Sequence, residues 1–176
     1  AVVYNVPGET TPLQLDGDVL SSIFLGKVRK WNDGKIAKLN PGVSLPPKDI
    51  LVVHRSDGSG TTYIFTDFLS SVNKEWLSGP GRAKEVAWPT GLGGKGNDGV
   101  AGQVKQIPGA IGYVELAYAR QNKLPFASIK NAAGAFIAPS VESATAAAEG
   151  VAAKLNPKTD YRISIANAPG PQAYPI

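Results

Sequence analysis

The feature that most constrains this chain is an apolar run that leads through a glycine- and serine-rich turn into a helical pattern. The apolar run covers 50–53, the turn at 55–62 reads Arg-Ser-Asp-Gly-Ser-Gly-Thr-Thr, and the helical pattern covers 63–72. A helix that begins directly after a strand leaves several backbone N–H groups without intrahelical partners. The helix dipole adds partial positive charge at the same place, so the turn predicts an oxyanion site of phosphate size.

The side chains of this turn supply further hydrogen-bond donors for an anion. Arg55 offers a planar guanidinium fork, and Ser59, Thr61 and Thr62 offer hydroxyl groups. Asp57 is the exception, because an acid repels an anion unless it has a specific partner. We interpret Asp57 as the group that pairs with Arg55 and orients its fork. Two alternatives are that it accepts the proton of a protonated phosphate, which sulfate lacks at neutral pH, or that it caps the helix.

The rest of the chain alternates between short strands and helices, with 20 glycines and 14 prolines in the connections. This order predicts a three-layer α/β lobe with a mainly parallel sheet of about five strands, whose ligand edge lies at the carboxyl ends of the strands. Strands are predicted at 1–6, 50–54, 85–88, 110–114, 126–129 and, from alternating apolar residues, 161–165. Helices are predicted at 33–39, 63–72 and 115–122. Two more are predicted from their capping residues: one is capped by Asp16 and ended by Gly26, and the other is capped by Ser140 and runs to Glu149, with Gly150 ending or kinking it. We find no internal repeat or linker, so residues 1–176 are expected to form one domain.

The helix at 63–72 is expected to pack into the core rather than to hold a cofactor. Its apolar residues recur at helical spacing on one face, formed by Ile64, Phe65, Phe68, Leu69 and Val72. Trp76 is expected to continue this face.

A second glycine-rich stretch, at 91–99, also leads into a helix. The helix is expected to be capped by Asn97 or Asp98 and to turn Val100, Ala101, Val104 and Ile107 inward. Two interpretations of the stretch remain open. It is either a second anion-facing loop with Lys95 as its charge, or a loop whose glycines permit positive φ and close packing.

The residues that catalysis requires are missing from the sequence. His54 is the only histidine, and a lone histidine on a strand is more typical of packing than of base catalysis. The chain has no Gly-x-Ser-x-Gly elbow, no Gly-Lys-Ser/Thr of a Walker loop, and no cluster of carboxylates and histidines for a metal. It has no cysteine either, which excludes disulfides and Cys-ligated zinc or iron–sulfur centres. We therefore expect a binding protein, not an enzyme, without a cofactor.

The formal net charge of +4 suits an anionic partner. The basic residues are scattered, however, and Lys27, Arg29 and Lys30 form the only tight cluster, so no nucleic-acid interface is expected. No apolar run approaches the roughly 20 residues of a membrane span. The start at 1–6 reads as a strand and not as a signal peptide, so the chain is expected to be a mature protein, a fragment or an excised domain.

Five blocks of the chain together resemble the bacterial phosphate-binding proteins of the high-affinity phosphate ABC transporter. They are the turn at 55–62, the stretch 88–99 beginning Trp-Pro-Thr-Gly-Leu-Gly-Gly-Lys-Gly, the stretch 108–115 reading Pro-Gly-Ala-Ile-Gly-Tyr-Val-Glu, and the segments 25–33 and 36–42. The similarity runs in order along nearly the whole chain and fades after about Gly134. It implies a type II periplasmic-binding-protein-like fold of two α/β lobes, with dehydrated phosphate held in the cleft between them.

The resemblance also assigns roles to individual residues. It implies that inorganic phosphate is bound by Arg55, Ser59, the backbone N–H of Gly60, and Thr61, and that Asp57 steadies the arginine. It implies an ABC transporter permease as partner and a location in the bacterial envelope, either periplasmic or at the cell surface.

The chain departs from the family in one large way, because it resembles only the central second lobe. The other lobe, which carries the acid that accepts the phosphate proton, is absent, so a missing lobe or a replacing chain is an expected partner. Three alternatives remain: a receptor-like lobe reused as an interaction protein in a surface assembly, a lobe for another oxyanion such as sulfate, and, ranked last, a phosphoryl-transfer enzyme.

Overall fold

The structure, a computed structural model, describes residues 1–9, 11–155 and 163–176. Its strands are β1 (Val2–Tyr4), β2 (Gln14–Leu15), β3 (Leu51–Arg55), β4 (Leu92–Gly94), β5 (Ala110–Tyr113), β6 (Ser128–Lys130) and β7 (Phe136–Ile137). Its α-helices are α1 (Gly17–Phe24), α2 (Gly34–Leu39), α3 (Gly60–Val72), α4 (Lys74–Ser78), α5 (Gly96–Gln106), α6 (Leu116–Gln121) and α7 (Val141–Val151), the last followed by a 3-10 turn at Ala152–Lys154. None of the helices within these residues is long and apolar enough to cross a membrane.

The main sheet has four strands in the order β1-β5-β3-β4. Strand β3 pairs in parallel with both β4 and β5, whereas β1 is antiparallel to β5. A smaller sheet has the order β2-β6-β7. One bridge between Val3 and Phe126 connects the outer edge of β1 to the chain that leads into β6. The α/β class and the mainly parallel sheet are therefore confirmed, with four strands in the sheet instead of about five.

The main sheet separates two apolar cores, as the two-residue period of a strand requires. Val2 and Tyr4 of β1 face a core that contains the apolar sides of α1 and α3, whereas Val3 faces a core that contains those of α5 and α6. In the same way, Val52 and Val53 of β3 face opposite cores. Helices thus cover both faces of the sheet, which gives the predicted three layers.

Side-chain caps fix the starts of several helices close to their predicted positions. The carboxylate of Asp16 accepts a hydrogen bond from the Val19 N–H at 2.9 Å, and the glycine expected to end this helix, Gly26, has a φ of 72°. Asp33 caps α2 through the Lys35 N–H, and Ser140 caps α7 in a capping box with Ser143. Gly150 does not end α7, since the helix continues through it to Val151, and the alternative that Gly150 kinks the helix stays a prediction.

Three strand predictions need correction. Residues 85–88 form no strand, because β4 occupies the edge of β3 and Trp88 packs its ring against that of Tyr113 instead. The strand predicted at 126–129 begins only at Ser128, after the single bridge at Phe126. Of the strand predicted at 161–165, residues 161 and 162 lie outside the described residues, and 163–165 are irregular.

Candidate functional site

The carboxyl ends of β3 and β5 lie side by side, because the two strands are parallel neighbours. The chain that leaves β3 turns into α3, and the chain that leaves β5 turns into α6, so two helix starts meet at this edge of the sheet. A cleft of about 700 Å³ opens there. Its walls include Arg55, Ser59, Gly60 and Thr61, all proposed as ligands from the sequence, together with Tyr113 and Glu115.

Helix α3 presents unused backbone donors to this cleft. It begins at Gly60, three residues earlier than the predicted Tyr63, because the Ser59 hydroxyl caps it by accepting a hydrogen bond from the Thr62 N–H at 3.2 Å. The N–H groups of Gly60 and Thr61 donate no hydrogen bond to any described residue. The first turn of this 13-residue helix therefore offers two free N–H groups and the Ser59 hydroxyl proton to an anion. The alternative that Asp57 caps the helix is wrong, since Ser59 does so.

Arg55 is held with one edge of its guanidinium against Asp57. Its Nε donates to Asp57 Oδ1 at 2.8 Å and its Nη2 donates to Oδ2 at 2.6 Å, while only 10% of the side chain is exposed. These hydrogen bonds raise the pKa of Arg55 further above its ordinary range, so the group stays charged. Nη1 donates to none of the described residues, and Arg55 is one of the residues that line the cleft, so this nitrogen is available to a ligand.

The second glycine-rich stretch holds Asp57 from its other side. Gly96, at a φ of 68°, donates its N–H to Asp57 Oδ1 at 3.1 Å, and the Ser56 N–H bonds to the Gly94 carbonyl oxygen at 3.0 Å. Helix α5 starts at Gly96 with no side-chain cap, so the prediction of a cap at Asn97 or Asp98 is wrong. The exposed Lys95 is not among the residues that line the cleft. Within the described part of the chain, the stretch thus supports the arginine through Asp57.

The ion pair between Asp57 and Arg55 can be tested through the pH dependence of the stability of the fold. The hydrogen bonds from Arg55, and then from Gly96, hold the pKa of Asp57 well below its usual range. A depressed pKa in the folded state stabilises the fold above the unfolded-state pKa of about 4, and this stabilisation is lost as the pH falls below it. We therefore expect Asp57→Asn to flatten the decrease in the free energy of unfolding below pH 4, as measured by urea denaturation from pH 6 to pH 2. In an Arg55→Ala background, the effect of Asp57→Asn should shrink; an undiminished effect would contradict the pairing.

Tyr113 and Glu115 belong to the site but were not selected from the sequence. The Tyr113 hydroxyl accepts a hydrogen bond from the Arg55 N–H at 3.1 Å and lies 2.7 Å from the Thr62 hydroxyl, which joins the ends of β3, β5 and α3. Burial raises the pKa of Tyr113, so it remains a neutral phenol. Glu115 Oε1 accepts a hydrogen bond from the Thr61 hydroxyl at 3.2 Å. Both residues stand in the stretch 108–115, and the expected ligand edge at the carboxyl ends of the strands was the signal that could have selected them.

Two residues named in the sequence analysis contribute no hydrogen-bond donor to this site. His54 stacks on Trp88 with ring centroids 4.7 Å apart, and its burial lowers its pKa. Ile64 is 50% exposed and lines the cleft, so the prediction that it packs into the core with Phe65 is wrong. Residues 1–9, 11–155 and 163–176 contain no group of three or more side chains arranged to hold a metal.

The fold and the site define an α/β lobe with a candidate oxyanion cleft at the carboxyl edge of its sheet. Comparison with known proteins agrees with this class. A family model described as a PBP superfamily domain matches residues 1–176, and the chain therefore belongs to the PBP superfamily. The resemblance drawn from the five sequence blocks is confirmed.

The similar proteins carry names that refer to phosphate. The chain is 51% identical over 175 residues to the phosphate-binding protein PstS of Pasteurella multocida, and 51% identical over 168 residues to that of Xylella fastidiosa. These matches cover 99% and 96% of this chain but 50% and 46% of the relatives, so the chain spans about half the length of the curated relatives it matches. A human phosphate binding apolipoprotein shares the fold with a TM-score of 0.65 at 20% identity, over 100% of this chain and 54% of that one.

Proposed function

We propose that this chain binds inorganic phosphate as one lobe of the solute-binding component of a phosphate ABC transporter. The ligands are Arg55, the Ser59 hydroxyl, the backbone N–H of Gly60, and Thr61. The observation that carries the proposal is the placement of Arg55, whose fork is bonded along one edge to Asp57. Arg55 lines the same cleft as Gly60 and Thr61, whose N–H groups donate to no described residue. These donors suit a tetrahedral oxyanion, because a guanidinium, a hydroxyl and free backbone N–H groups line one cleft.

The chain acts as half of a phosphate clamp in this proposal. A second lobe, either a further part of the same protein or a chain that replaces it, closes on the cleft and excludes water. A transporter permease in the bacterial envelope then receives the phosphate, from a binding protein in the periplasm or at the cell surface. Support comes from the relatives, which are named phosphate-binding proteins and are about twice as long as this chain. The chain binds phosphate without transforming it, so it is not an enzyme.

We expect phosphate binding by this chain alone to be weak and sensitive to salt. One side of the anion stays in water when the second lobe is absent, and water and ions screen the charge of Arg55. Calorimetric titration with phosphate at low ionic strength, repeated at high ionic strength, measures both properties. Submicromolar affinity that salt does not change would contradict the half-site. A parallel titration with sulfate tests whether another oxyanion is the ligand.

A second candidate function is that of an interaction module in a surface assembly. It is favoured by two apolar side chains at the cleft, Ile64 and Val141, which are 50% and 66% exposed. Exposed apolar groups that border one cleft are typical of a surface that another chain covers. Light scattering distinguishes the two functions, because an interaction module of this kind would associate through the cleft in the absence of phosphate.

A further inference from the structure

Two acidic side chains contact residues of the cleft wall: Glu115 itself lines the cleft, and Asp57 is bonded to Arg55. Their remaining capacity to accept hydrogen bonds differs. The oxygens of Asp57 already accept three hydrogen bonds, two from Arg55 and one from the Gly96 N–H. Glu115 is exposed, and its Oε1 accepts one hydrogen bond, from the Thr61 hydroxyl, while its Oε2 accepts none from the described residues. Of the two acids, Glu115 is therefore the one that is free to accept a hydrogen bond from a ligand.

The position of Glu115 relative to the other ligand groups is fixed by the sheet. It directly follows the end of β5, two residues after Tyr113, whose hydroxyl is bonded to the backbone of Arg55. Its own N–H donates to Asn97 Oδ1 at 3.3 Å, which ties it to the first turn of α5. An anion bound at Thr61 therefore lies beside a carboxylate that stands at a defined place in the cleft.

An ionised carboxylate can only accept hydrogen bonds, and this determines which anions it tolerates. An oxyanion that carries a proton can donate its O–H to Glu115, so the contact becomes a charge-assisted hydrogen bond. An oxyanion without a proton places two negative groups against each other with no hydrogen between them, which is unfavourable. The same carboxylate thus attracts the first kind of ligand and repels the second.

We propose that Glu115 is a specificity-determining residue of this lobe, which favours oxyanions that carry a proton, hydrogen phosphate and hydrogen arsenate, over unprotonated sulfate. The inference rests on the proposed function, because it assumes that the anion binds at Thr61. It extends that function by placing an acceptor for the ligand's proton on this lobe, in addition to any acceptor on a second lobe.

The test compares three anions on the wild type and on Glu115→Gln. Titration of the 176-residue chain with phosphate, arsenate and sulfate at pH 7, followed by NMR through the Gly60 and Thr61 amide shifts, measures even weak binding. Glutamine keeps the shape of the side chain, removes the charge and presents an N–H donor to an unprotonated oxygen. We expect the preference for phosphate and arsenate over sulfate to fall by about tenfold, as the loss of a hydrogen bond to a charged group implies.

Controls separate this inference from the proposal on which it rests. Glu149→Gln makes the same change of charge at an exposed position of α7, outside the residues that line the cleft, and should leave the preference unchanged. Glu115→Ala provides a second variant if the glutamine variant misfolds, and circular dichroism checks both. If the wild type binds phosphate and both Glu115 variants keep its preference over sulfate, the role of Glu115 is overturned and phosphate binding stands. If the wild type shows no phosphate binding at all, both proposals are overturned.

Discussion

Replacement of Arg55 by alanine is expected to abolish the binding of inorganic phosphate by this chain. The change removes the only cationic side chain among the described residues that line the cleft. It also leaves the carboxylate of Asp57 with the Gly96 N–H but without its two hydrogen bonds to the guanidinium, so its negative charge near the cleft is no longer neutralised. Because two losses act together, we expect affinity to fall by roughly a hundredfold or more, which calorimetry would record as no detectable heat.

Three further variants show whether the loss is specific. Arg29→Ala removes an exposed arginine outside the cleft and should bind like the wild type. Arg55→Lys keeps the charge but not the fork, so it should recover only part of the affinity. The double variant Arg55→Ala with Asp57→Asn should bind better than Arg55→Ala alone, since it removes the repelling acid as well. Unchanged binding in Arg55→Ala would mean that phosphate binds elsewhere on the molecule.

The parts of the fold that local chemistry dictates could be predicted from the sequence. Asp16 caps α1, and Ser140 caps α7, because a short polar side chain directly before a helix can accept a hydrogen bond from a free N–H of its first turn. The strand, turn and helix at residues 50–72 could be predicted as well, because each is determined by residues that are close together in the sequence. The pairing of Arg55 with Asp57, two residues apart, was favoured over two alternatives because an acid beside an anion site needs a specific partner, and the structure contains it.

The rest of the site depends on which strands are neighbours, and no local pattern contains that information. Tyr113 and Glu115 reach Arg55 and Thr61 only because β5 pairs with β3, almost 60 residues away along the chain. The role of the second glycine-rich stretch stayed open for the same reason, since its Gly96 N–H meets Asp57 through the pairing of β4 with β3. Helical spacing also placed Ile64 in the core, although the cleft opens on that side of α3.

Replacement of Phe65 by alanine is expected to cause the largest loss of stability among the changes considered for this protein. The Phe65 side chain is 1% exposed; its ring stacks on Tyr113 at 4.3 Å and meets the ring of Phe24 edge-on at 4.8 Å. Truncation removes these contacts and leaves a cavity between α1, α3 and β5, at a cost of about 3–5 kcal/mol in the free energy of unfolding. Urea denaturation at pH 7 measures this loss.

Helix α3 also provides a matched control for Phe65→Ala, and phosphate affinity provides a second measurement of its effect. Tyr63→Ala truncates an aromatic residue that is 41% exposed, two positions before Phe65, and should cost about 1 kcal/mol or less. Phe65→Leu should cost less than Phe65→Ala, because it fills part of the cavity. Since the ring of Phe65 supports Tyr113, whose hydroxyl holds the backbone of Arg55, phosphate affinity should fall in Phe65→Ala even where the variant remains folded. Equal losses of stability in Tyr63→Ala and Phe65→Ala would contradict the packing of α3 against β5.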